Sequence, residues 1–416
     1  MPQNVTIKGI YTNALRLVIL HVIFLKLSQL LMKRIVDNEN ILSVELQKMH
    51  MVNVSRRFIR KTCGGLITLL CENSQPEKML LERKMQMGFF NQSSRCYSRC
   101  LKVAILGCSS MTGKCLSLFL KQSPLIDELA LYDADCMRGM VSELNQIDSK
   151  CKVSGHDSSD LGMKNTLLDA KIVLILDKDD QGGETDVNCL FEKKAETLSQ
   201  YMYHIVNCCP RAMIAIAMQP RNSLVPFAVE TLRKFHTNEI ERIFGVITEY
   251  CVRANTVAAR IMKLQPEYVV VPVIGGGSST TCIPLYSQCS PCKQFRREEI
   301  RYMTQFVRSA DDEINRKNYP FVMSSFAIAR FCTSLCKALR HERGIMECTY
   351  VSSHVMPEIK YFSSMVELGP DGIQKYMEIP QLSDIECELV LQTIPILQKD
   401  IKKGEMRVAE FSASIQ

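Results

Sequence analysis

The strongest constraint on this chain is a series of short, nearly unbroken apolar segments from Leu101 onward, each followed by a stretch of helical character. LKVAIL leads into TGKCLSLFLKQ, and ELALYD, KIVLIL and AMIAIAM come after it. Runs this continuous belong to strands buried on both faces, and their alternation with helices predicts an α/β fold built on a doubly wound parallel sheet. Gly107 ends the first strand, Gly113 opens the first helix, and Asp133 closes the second strand 20 residues after Gly113. That spacing suits a dinucleotide. Its pyrophosphate would lie on the helix N-terminus, where free N–H groups and the helix dipole favour an anion, and its ribose would meet the carboxylate.

Charge separates this region from what precedes it. Residues 1–100 hold 15 Lys and Arg against 6 Asp and Glu, leaving 36 against 38 for the other 316 residues. The net charge of +7 therefore belongs to a basic N-terminal extension. The near-neutral remainder has no clustered basic footprint for nucleic acid. The apolar run LRLVILHVIFLKLSQLLM is interrupted by Arg16, His21 and Lys26, so it falls short of the roughly 20 apolar residues of a membrane span, and those charges share no helix face. A second acid-free stretch, GFFNQSSRCYSRCL from Gly88 to Leu101, has the Arg and Ser character of the end of a mitochondrial transit peptide, with a basic linker as the alternative. Met49, Met51, Met85 and Met87 are candidate starts for such a peptide. The 19 Cys show no disulfide or zinc spacing and read as reduced thiols; the one CxxC, Cys289 and Cys292, reads as a chance pair.

Several collinear blocks resemble mitochondrial-type malate dehydrogenase. They are LKVAILGCSSMTGKCLSLFLKQSPLIDELALYD, IFGVITEYCVRANTVAA, VVVPVIGGG, IPLYSQCSP and LGPDGIQKY, and the similarity runs over about residues 101–411. The resemblance implies a Rossmann-type NAD-binding domain over residues 101–246 and an α+β catalytic domain over 247–416, in a homodimer. It also implies the reversible oxidation of L-malate to oxaloacetate by NAD.

That chemistry requires a base to take the hydroxyl proton, a carboxylate to orient the base, and cations to hold two substrate carboxylates. Matched block by block, the position of the base is Gly277 in VPVIGGG, and that of its carboxylate partner is Tyr250 in EYCVRAN. The two Arg of the mobile substrate loop are matched by Gln181 and Val187, in a stretch that carries Asp177, Asp179, Asp180, Glu184 and Asp186 and reads as a solvated acidic loop. The third substrate Arg is retained as Arg253. On the cofactor side, Ser110 replaces the middle glycine of GCSSMTG, bringing a Cβ to where backbone approaches pyrophosphate. Gln219 replaces the first Asn of the family's Asn-Pro-Val-Asn-Ser, here QPRNS, while Asn222 is kept. Tyr319 and Phe321 stand where small residues line the nicotinamide pocket.

The cofactor positions are therefore Gly107, Ser110, Gly113, Asp133 and Asn222, and the catalytic pair is missing. A catalytically silent structural or regulatory subunit is expected. It would be a divergent paralogue in the mitochondrial matrix (the cytoplasm being the alternative), homodimeric or paired with an active malate dehydrogenase. The alternatives are an active NAD-dependent dehydrogenase for malate or another 2-hydroxy acid, and a non-catalytic NAD-binding module.

Overall fold

The computed structural model describes residues 100–133, 137–177, 187–235, 239–316 and 321–413, without the side chains of 187, 188, 311–316 and 409–413. The N-terminal extension before Cys100, with its apolar run and nearly all of the acid-free stretch, lies outside these residues.

Six strands form a parallel sheet: β1 (Lys102–Leu106), β2 (Glu128–Tyr132), β3 (Lys152–His156), β4 (Ile172–Ile175), β5 (Met213–Ile216) and β6 (Ile243–Val246). Their spatial order is 3-2-1-4-5-6, the doubly wound arrangement that places ligands outside the strand carboxyl ends near the reversal at β1 and β4. The predicted strand segments fall on β1, β2, β4 and β5. Each is covered on both faces, because alternate residues enter different apolar clusters: Ala104 and Leu106 one, Val103 and Ile105 the other.

The sheet continues past β6 with the opposite sense. β9 (Ile345–Ser352) pairs antiparallel with β6, and β10 (Tyr361–Gly369), β7 (Val273–Gly275) and β8 (Cys282–Pro284) extend the edge, with β11 (Gly372–Tyr376) also on β10. One eleven-stranded sheet thus joins the two halves of the described chain.

The helices are α1 (Met111–Lys121), α2 (Arg138–Leu144), α3 (Asp160–Leu167), α4 (Val187–Cys208), α5 (Arg221–Lys234), α6 (Thr248–Met262), α7 (Arg297–Arg316), α8 (Phe321–Leu339) and α9 (Asp384–Ala413). Two of them position the site. Helix α5 is buried along most of its length and carries Pro226 in its interior. Pro226 has no N–H to give the carbonyl of Asn222, and Tyr350 Oη donates to that oxygen instead at 3.3 Å. Helix α8 is apolar and long enough to cross a bilayer, but packs against α1, α6 and the sheet, which accounts for its composition.

The β1–α1 turn depends on two glycines. Gly107 has φ +83°, and a Cβ there would meet the Leu176 carbonyl oxygen at 2.7 Å; a Cβ on Gly113 would meet the Cys108 carbonyl oxygen at 2.5 Å. Gly113 lets α1 lie directly on the strand end. Gly113→Ala should therefore destabilise the fold by about 1–3 kcal/mol, the usual cost of overpacking, read as a lower urea midpoint at unchanged slope.

Candidate active site

A strand–turn–helix forms over the Gly107–Gly113 segment. Ser109 donates to Asp133 Oδ2 from its backbone N at 2.8 Å and from its hydroxyl at 2.7 Å, tying the turn to the end of β2. Ser110 is 1% exposed, and its hydroxyl accepts from Gly113 N at 3.1 Å as the N-cap of α1. The structure thus turns this side chain into the protein: the hydroxyl satisfies a helix-end N–H and is not presented to a ligand. Gly107, Gly113 and Asp133 thus stand together at the ends of β1 and β2 and the start of α1, with one Asp133 oxygen engaged by Ser109.

The opposite end is built differently. Beyond β7, Gly277 is buried; its N donates to Asn222 Oδ1 at 2.7 Å and its carbonyl accepts from Arg221 Nη1 at 3.2 Å. Asn222 Nδ2 donates to Asp400 at 2.9 Å, Thr281 at 3.2 Å and Ser278 at 3.3 Å, so this amide is engaged entirely by the protein. The same Arg221 Nη1 lies 2.7 Å from Glu249 Oε1, with side-chain exposures of 4% and 6%. Ser324 Oγ, on α8, donates to the other Glu249 oxygen at 3.4 Å.

Arg221 and Glu249 were not among the residues singled out by block matching. The legible signal was a cation in QPRNS at a position the family fills with Val, together with an acid beside Tyr250 in a second block; what could not be read was that the two meet. Glu249 lies in the first turn of α6, where the helix dipole favours a carboxylate, whereas Arg221 opens α5, where the dipole disfavours a cation. Burial opposes ionisation of Glu249, but the Arg221 and Arg253 guanidiniums, with hydrogen bonds from Arg221 and Tyr250, outweigh it and hold the carboxyl below its ordinary range. Burial likewise opposes the charge on Arg221, and Glu249 more than restores it.

Tyr250 is fully buried, with the Arg253 guanidinium 5.8 Å from its ring centre, so these two positions of α6 pack on each other. Gln219 N donates to Asp177 Oδ2 at 3.0 Å, and its carbonyl accepts from Lys194 Nζ, also at 3.0 Å. Lys194 lies 2.6 Å from Asp177 Oδ1. Asp177 therefore departs from the solvated-loop expectation: it pins the end of β4 to α4 and to the segment after β5, and loss of hydration raises its carboxyl against the pull of Lys194. Gln181, Asp179, Asp180, Glu184, Asp186 and Tyr319 lie outside the described residues. Val187 begins α4, and Phe321 begins α8, half-buried. Cys289 is buried and Cys292 exposed, both as free thiols.

Removing one partner of this pair strands the other. Arg221→Ala should cost about 3–5 kcal/mol near neutral pH, since it leaves Glu249 buried and charged. The sign with pH follows from the lowered Glu249 carboxyl: the pair's contribution is complete above the unfolded value near ~4.3 and is lost as pH falls through the folded one. The deficit of Arg221→Ala against the unmodified chain should therefore narrow in acid, as measured by urea unfolding across pH 3–7.

Comparison with known proteins agrees with this architecture. Residues 101–245 match the NAD binding domain of lactate/malate dehydrogenase, and residues 251–408 match the α/β C-terminal domain of the same enzymes. The mitochondrial malate dehydrogenase of Caenorhabditis elegans is 33% identical over 335 residues, covering 80% of this chain and 98% of the relative. The human mitochondrial malate dehydrogenase is 34% identical over 308 residues, covering 73% and 90%. Among solved structures, lactate dehydrogenase from Eimeria maxima with NADH and oxamate superposes with a TM-score of 0.63 at 17% identity, covering 76% of this chain and 98% of that one. With both domain patterns matched in order along the sheet described above, the chain belongs to the lactate/malate dehydrogenase family.

Proposed function

We propose that this protein is a catalytically silent, divergent paralogue within its family, acting as a structural or regulatory subunit. The observation that carries this reading is the surroundings of Gly277. The groups bonded to that position are a carboxamide and a guanidinium, and neither takes a proton from an alcohol at neutral pH. Glu249 is held ionised by Arg221 and is a weak base, and both Asp177 oxygens are engaged. The described histidines are His156 at the end of β3, His204 by Asp160, His341 in the turn after α8, and His354, which packs on Tyr376.

Magnitudes support silence. Loss of the base costs roughly 10²–10⁴ in rate. Loss of two charge-assisted carboxylate contacts, at Gln181 and Val187, costs about 1.5–3 kcal/mol each. Even allowing for non-additivity among residues that act as a unit, a deficit of at least about 10⁴ is expected.

A second reading, a nucleotide-holding module, is favoured by the retention of Gly107, Gly113 and Asp133. NAD bound there would supply a hydride acceptor. This chain's own residues would hold the adenosine end and offer no proton acceptor at the other. The mitochondrial names of the relatives and the acid-free stretch before Leu101 support a matrix location, and the shared fold supports dimers of this chain or with an active malate dehydrogenase.

The full-length protein with NADH and oxaloacetate, followed by absorbance at 340 nm, should show no oxidation above blank. Turnover comparable with an active relative overturns the silent reading. Calorimetric heat with NADH that disappears in Asp133→Ala would support the nucleotide-holding role, and the absence of heat in the unmodified protein would reject it.

A further inference from the structure

Three positions at this site make physical sense only together. A Cβ built on Gly277 would lie 2.9 Å from Arg221 Cβ, an atom any residue but glycine would place there, and 3.6 Å from Arg221 Cδ, so it is a side chain longer than alanine at 277 that competes with the arginine stem. The guanidinium then reaches on to Glu249 and to the Gly277 carbonyl. An arginine buried here without Glu249 would lose its main counter-charge, and the glutamate without Arg221 would be left with Arg253 alone. Ser324 brings α8 to the same carboxylate, so the pair gathers the start of α5, the first turn of α6, the turn after β7 and the start of α8.

We propose that Arg221, Glu249 and Gly277 form an internal plug. The arginine fills the space in which a base and a 2-oxo acid would meet, its charge is neutralised by Glu249, and glycine at 277 keeps a second long side chain out of that space. This rests on the reading of position 277 as the base position and extends it. The site is closed by an occupant, so restoring the base alone cannot restore chemistry.

The test compares Gly277→Ala and Gly277→His, each made in the full-length protein and again in an Arg221→Val/Glu249→Leu background, which replaces the ion pair by apolar residues. Equilibrium unfolding in urea reads the coupling. In the unmodified background Gly277→Ala should raise the unfolding equilibrium constant about tenfold or more, the low end of overpacking costs, and Gly277→His should do so further. In the opened background Gly277→Ala should cost about as much as before, because valine keeps the Cβ, whereas Gly277→His should cost at least about tenfold less than in the unmodified background, because the stem beyond Cβ is gone. Equal Gly277→His penalties in the two backgrounds overturn the plug. Gly277→Leu serves as the long side chain if the histidine variant fails to fold.

Equal penalties with no turnover by the unmodified protein would leave a silent but unplugged site, whereas turnover by the unmodified protein would overturn both readings.

Discussion

Withdrawing a guanidinium and a carboxylate from water costs several kcal/mol per ion, recovered only when the two face each other with good geometry. Arg221 and Glu249 meet that condition at 2.7 Å, and in doing so they fix the relative placement of the segments that carry them. The helix dipoles reinforce the arrangement, since the carboxylate stabilises the start of α6 while the cation that opens α5 needs a counter-charge. Around the pair lie polar contacts that close on themselves: Asn222 with Gly277, Thr281 and Asp400, and Asp177 with Lys194 and Gln219.

The two ends of the site meet different requirements. Around Gly107 and Gly113 they are of backbone shape, a left-handed turn and a close helix approach. Around Gly277 the polar groups bond to one another: Asn222 and Arg221 to its backbone, and Arg221 to Glu249. In the proposed reading the fold outlasts the loss of its reaction because it rests mainly on the apolar clusters of both sheet faces, one of which takes in Tyr250 itself.

Most of the fold could be read from residue order. Continuous apolar runs alternating with helical stretches specify a parallel sheet covered on both faces, and β1, β2, β4 and β5 fall where those runs lie. The glycine and acid spacing in the first βαβ unit is equally local, because turn geometry depends on residues near in sequence. The continuation of the sheet through β6 and β9 was not legible, since it pairs strands about a hundred residues apart. Nor was the inward turn of Ser110, where a helix cap competes with the surface for one hydroxyl.

Sequence by itself determined the parallel-sheet architecture, the nucleotide turn and the absence of a histidine and an aspartate at Gly277 and Tyr250, because each depends on residue type at a fixed spacing. Only the tertiary structure decided which charged groups meet beside Gly277. Arg221, Glu249 and Gly277 come from three separate segments, and charge neutralisation and shared volume act through space, at distances that the order of residues along the chain does not encode.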